Sequence, residues 1–129
     1  MQVGEPRHKI LVVDDDPLTA RLVAHWLADS GYTTALAANG DEAMNWLVEE
    51  EFDAVISQVQ MPVMNGFELL QHIHLRFPSL PVVLMTALVE PDMRAAALAW
   101  GATTLLQKPL TREELLAALS GPRELSAIA

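Results

Sequence analysis

The sequence predicts an α/β domain: a parallel sheet of five strands covered by helices on both faces. Short apolar, β-rich runs alternate with amphipathic segments, giving five β-then-α units within about 115 residues. Three of the runs are apolar nearly throughout, as strands buried on both faces are. The chain has 129 residues, 51 % hydrophobic and 19 % charged. That length suits one packed domain and leaves no room for a two-domain enzyme, while the apolar fraction excludes intrinsic disorder.

The first run, Lys9-Ile10-Leu11-Val12-Val13, stops abruptly at Asp14-Asp15-Asp16-Pro17. Asp16 suits an N-cap and Pro17 the first helical turn, so a helix starts there. Leu18, Leu22 and Trp26, with Val23 and Leu27, recur at four-residue spacing and predict one buried face. Gly31 is a natural C-cap. Thr33–Ala37 is a weak strand, and Asn39-Gly40 opens a helix carrying Ala43 and Leu47. Asp53–Ser57 is the third strand, and Gly66 opens a helix with Leu70, Ile73 and Phe77. Pro81–Thr86 is the fourth strand, with Met93, Ala96, Ala97 and Trp100 on the helix that follows. Thr103–Leu106 is the fifth strand, and Thr111-Arg112-Glu113-Glu114 reads as a capping box ahead of Leu115, Leu116 and Leu119.

Eight Lys+Arg against 17 Asp+Glu leave a net charge of −9. That balance argues against binding nucleic acid or an anionic membrane through bulk electrostatics. Zero cysteines exclude disulfide and thiolate chemistry. No secretory signal or membrane-length apolar run is visible, so a cytoplasmic, soluble protein is the expectation. Residues 1–7 read as an N-terminal arm, 8–120 as the folded unit, and 121–129 as a tail or linker.

In parallel α/β sheets, ligands gather at the carboxyl ends of the strands. Asp14 and Asp15 fall there after the first strand, Gln58 after the third, Thr86 ends the fourth, and Lys108-Pro109 follows the fifth. Helix capping explains Asp16 well. Three adjacent carboxylates repel and call for a cation, either a hard divalent ion on oxygen ligands or a lysine. Lys108 is that lysine if the topology puts strands one and five on either side of strand three.

Four motifs in order, Val12-Val13-Asp14-Asp15, Met61-Pro62-Val63-Met64-Asn65-Gly66, Thr86-Ala87 and Lys108-Pro109, make the chain resemble the CheY-like receiver domains of two-component response regulators. The resemblance spans about residues 8–120. It implies a flavodoxin-like three-layer (βα)5 fold with strand order 2-1-3-4-5. It implies that Asp14 and Asp15 correspond to a Mg2+-binding acidic pair. Thr86 and Lys108 correspond to the groups that hold phosphoryl oxygens, and Lys108-Pro109 to a cis bond. The implied role is signalling in a phosphorelay, not enzymatic. The implied partners are a histidine kinase, an output domain or another signalling protein, with a second copy of the chain as a further candidate.

The phosphoacceptor position departs from the family pattern. Val55-Ile56-Ser57 followed by Met61-Pro62 puts Gln58 where the family has aspartate. An acyl phosphate forms by attack of a carboxylate oxygen, and an amide has none. One carboxylate fewer also leaves Mg2+ at Asp14 and Asp15 weak or absent. The amide can instead accept from Lys108 through its carbonyl and donate to Asp14 or Asp15 through its NH2, locking one conformation. Leu105 stands where the family often has a switching aromatic residue, and also reads as ordinary strand packing. These features describe a phosphorylation-independent interaction module. The alternative is a phosphoaccepting receiver whose aspartate was replaced, or whose acceptor moved to Asp14 or Asp15. Ser57 points to the opposite face from residue 58 and is poorly placed to substitute.

Other classes fit less well. An Asp-x-Asp phosphatase motif needs Thr19 one place earlier, and a flavin-phosphate cradle is incompatible with three aspartates. His8, His25, His72 and His74 show no ligand spacing. Leu88, Val89 and Met93, around the start of the fourth helix, either pack locally or form an apolar partner surface.

Overall fold

A computed structural model describes residues 8–119. The expected arm at 1–7 and tail at 121–129 lie outside the described residues. In chain order the elements are β1 (Lys9–Val13), α1 (Pro17–Asp29), β2 (Thr33–Ala37), α2 (Gly40–Glu49), β3 (Ala54–Gln58), α3 (Gly66–Arg76), β4 (Val82–Thr86), α4 (Met93–Ala99) and β5 (Thr104–Gln107). A last helix, α5, covers 112–119. All strand pairs are parallel, in the order β2-β1-β3-β4-β5.

Strand boundaries shift by one residue from the sequence reading. β3 begins at Ala54 and reaches Gln58, while Asp53 still pairs with the first strand, its carboxylate accepting from Lys9 N–H at 2.7 Å. β4 begins after Pro81, which has no N–H for a ladder. β5 runs Thr104–Gln107 instead of Thr103–Leu106.

Alternation of side chains divides β1 between two core layers. Leu11 and Val13 join Val55, Leu84 and Leu105 beneath α2, α3 and α4. Ile10 and Val12 join Ile56, Val83 and Met85 beneath α1 and α5, against Val23, Leu27 and Leu115. This apolar burial is the main stabilising contribution to the fold.

The predicted face of α1 requires correction. Ala20, Val23 and Leu27 are its buried residues. Leu18 is 74 % exposed and Leu22 48 %, whereas Trp26 only borders the core. Leu22 and Val23 lie about 100° apart around the helix, so the two stripes cannot both face the sheet. Ala20 completes the inward stripe. Trp100 is also displaced from its expected place: it lies just past α4, 46 % exposed, packed edge-to-face on Phe67 at 5.4 Å.

The local signals at helix ends are realised. Asp16 caps α1 and Asn39 caps α2, and Asn65 with Glu68 adds a capping box on α3 that the sequence reading did not include. Thr111 and Glu114 form the expected box, with reciprocal bonds of 3.1 Å. Gly31 has φ +94°, the left-handed geometry that glycine tolerates.

Candidate functional site

Because the strands are parallel, their carboxyl ends share one edge of the sheet. β1 and β5 lie on either side of β3, with β4 between β3 and β5. Asp14 N–H donates to Ala37 carbonyl at 3.0 Å, and Lys108 N–H to Thr86 carbonyl at 2.7 Å, extending the ladders past the strands. Lys108 precedes a cis Lys108-Pro109 bond, as the resemblance implies.

Lys108 crosses this edge to Asp14. Its Nζ lies 2.9 Å from Asp14 Oδ2, with the Asp14 side chain only 1 % exposed. Asp14 Oδ1 accepts from the Asp16 backbone N–H at 2.9 Å. The buried carboxylate is therefore matched by a full positive charge and a backbone donor, as burial of an ion requires.

The three aspartates separate into different environments. Asp14 is buried, whereas Asp15 and Asp16 are exposed. Asp16 serves its own helix: Oδ1 accepts from Leu18 N–H at 3.2 Å and Oδ2 from the Thr19 hydroxyl at 2.6 Å. The Thr19 hydroxyl, then the Leu18 N–H, hold the Asp16 carboxyl below its ordinary pKa.

Gln58 ends β3 and is 8 % exposed. Its Oε1 is buried with no hydrogen-bond partner. The expected bond from Lys108 to the amide carbonyl is not made, which corrects the sequence reading. A lysine offered both acceptors takes the carboxylate, because charge-assisted bonds are roughly twice as strong as bonds to neutral groups. Ser57, one residue earlier, donates to the Gln58 carbonyl at 3.0 Å.

Thr86 is fully buried, and its hydroxyl is engaged at the start of the β4–α4 loop. It lies 3.2 Å from Gln60 Oε1 and 3.1 Å from the Leu88 carbonyl, and accepts from Leu88 N–H at 3.2 Å. Gln60 escaped the sequence reading; its two-residue offset from Gln58 was the available signal. Leu105 is 2 % exposed within the first core layer. Leu88 is 58 % exposed, while Val89 and Met93 pack against that same layer.

The β3–α3 loop is held tightly beneath these residues. Gly66 N–H donates to the Val59 carbonyl at 2.7 Å, and a Cβ at Gly66 would meet Gln58 carbonyl oxygen at 2.5 Å. No side chain larger than hydrogen fits there without moving β3. Val63, in the same loop, has φ +72°, a conformation unusual for a β-branched residue.

These donors do not fit a tight Mg2+ site. Asp14 is committed to Lys108 and the Asp16 N–H, Gln58 is neutral, and among the acidic pair only Asp15 stands exposed. Among the described residues, no group of three or more His, Cys, Asp or Glu is placed to hold a metal.

Residues 10–120 match the response regulator receiver domain family. The chain belongs to that family. The receiver domain is 40 % identical over 111 residues to the transcriptional regulatory protein ZraR of Klebsiella oxytoca, covering 86 % of this chain and 25 % of ZraR. It is 37 % identical over 109 residues to the response regulator MprA of Mycolicibacterium vanbaalenii, covering 84 % of this chain and 47 % of MprA. The chain thus spans from a quarter to about half the length of these relatives. Among solved structures, the Vibrio cholerae chemotaxis protein CheY4 superposes with TM-score 0.85 at 36 % identity, covering 90 % of this chain and 98 % of CheY4. Receiver domains are signalling modules of two-component systems. Among the described residues of this one, no helix is long and apolar enough to cross a membrane.

Proposed function

We propose that this receiver domain acts in two-component signalling as a phosphorylation-independent protein-interaction module. The observation that carries the reading is the neutral amide of Gln58 at the end of β3, beside an Asp14–Lys108 pair that is already closed. Phosphoryl capture by the family's chemistry needs a carboxylate nucleophile there. Lys108, the cation matched to the family's phosphoryl-contact lysine, is neutralised by Asp14. Asp14 and Asp15 correspond to the metal pair, Thr86 to the phosphoryl-contact hydroxyl and Leu105 to the switching aromatic position. With Gln58 and Leu105 in place, none of them has a phosphoryl group to report.

The partner is a protein: a histidine kinase, an output domain or another signalling component, engaged in part through exposed Leu88 with Val89 and Met93 behind it. ZraR and MprA, several-fold and about twofold longer than the matched region, are named as regulators. An output domain in the same polypeptide is the partner their lengths suggest.

Incubation with acetyl phosphate and Mg2+ followed by intact-mass measurement tests the reading, with Gln58→Asp alongside. The wild-type mass stays unchanged, and the variant gains one phosphoryl group. A phosphoryl group on the wild-type chain overturns the proposal and directs attention to Asp14 and Asp15 as acceptors.

A further inference from the structure

Thr86 presents a buried hydroxyl with one proton and two acceptors within reach. The Leu88 carbonyl belongs to the residue whose N–H the same hydroxyl accepts, at 3.1 and 3.2 Å. The second acceptor, Gln60 Oε1 at 3.2 Å, reaches in from an exposed side chain just beyond β3. A hydroxyl that points its proton at Gln60 keeps a lone pair free for the Leu88 N–H. A hydroxyl that points at the Leu88 carbonyl does not donate to Gln60 Oε1.

From this geometry we infer that Gln60 is a positioning residue, an internal acceptor that holds the Thr86 hydroxyl and thereby fixes the β4–α4 loop with Leu88 displayed. The inference rests on the proposed function, because it gives Thr86 a permanent acceptor within the chain where the family resemblance implies a phosphoryl oxygen. The route runs Gln60 to Thr86 to the Leu88 N–H, and Leu88 is 58 % exposed at its end. The groups that make this contact, the Gln60 amide, the Thr86 hydroxyl and the Leu88 backbone, are all neutral.

Amide hydrogen exchange on Gln60→Ala and Gln60→Glu tests it, read at Leu88 and, as a control for global stability, at Val83 and Leu84 in the centre of β4. Gln60→Ala speeds Leu88 exchange about five-fold, the effect of one neutral hydrogen bond, without a matching change at Val83 and Leu84. Gln60→Glu keeps an acceptor oxygen and restores wild-type protection at Leu88. Leu88 exchange unchanged in Gln60→Ala, or changed only in step with the β4 amides, overturns the inference. So does failure of Gln60→Glu to restore protection. A phosphoryl group found on the wild-type chain counts against the proposed function alone and leaves this exchange result to be judged separately.

Discussion

Asp14 holds the charge balance of the strand-end edge, with Lys108 on one oxygen and the Asp16 N–H on the other. Removing it strands a partly buried ammonium and a backbone donor together. Asp14→Ala therefore costs about 3 kcal/mol in urea unfolding. The pair replaced together, Asp14→Asn with Lys108→Met, loses markedly less, because no uncompensated charge stays behind. Equal losses in the single and double variants contradict the pairing. Asp16 behaves differently, being exposed and bonded only to its own first helical turn. Its carboxyl is held below the ordinary pKa of 3.8, so its contribution is present above that range and disappears as pH falls through the lowered folded value. Thermal melts of wild type and Asp16→Ala should differ at about pH 5 and converge towards about pH 2. A gap that widens on acidification contradicts that sign.

At the scale of elements, α1 is the most informative. Its sequence offers two apolar stripes of equal periodicity, and only the position of the sheet decides between them. Leu27→Ala, on the buried stripe, costs about 3 kcal/mol, whereas Leu22→Ala, on the exposed one, stays within about 0.5 kcal/mol. Chemical denaturation of the two variants measures this, and similar losses would restore the single-face reading. The same contrast explains what was legible beforehand. Caps at Asp16, Asn39 and Thr111 depend on neighbours two or three residues away and could be read from the chain, whereas the equally local Asn65–Glu68 box was not read. Apolar runs such as Ile10–Val13 and Val82–Met85 announced buried strands for the same local reason. The Asp14–Lys108 contact joins residues 94 apart, yet was anticipated because strand topology brings both to one edge. The orientation of the Gln58 amide was not, since it turns on competition for a single lysine. Gln60 was missed because its local mark, the two-residue offset from Gln58, does not point to a buried threonine 26 residues further on.

For the whole molecule, the net charge of −9 is less concentrated than the run Asp14-Asp15-Asp16 suggests. One of those carboxylates is neutralised by Lys108, one caps a helix, and one faces solvent. The edge that receives phosphate in the family resemblance is here closed by an internal ion pair around a neutral amide. Its surroundings are the two buried core layers to which β1, β3 and β4 all contribute. A phosphate switch needs two arrangements of these parts, with a ligand that favours one of them. On the proposed function the chain keeps the arrangement closed by Asp14 and Lys108, with exposed Leu88 in the β4–α4 loop. The decisive measurement is an amide NMR titration of the wild-type protein with beryllofluoride and Mg2+, which together stand in for a phosphoryl group and its metal. Unchanged shifts at Asp14, Gln58, Thr86, Leu88 and Lys108 up to millimolar ligand are the predicted result. A saturable shift spreading from Gln58 through Thr86 into α4 would contradict it and show that the domain still switches.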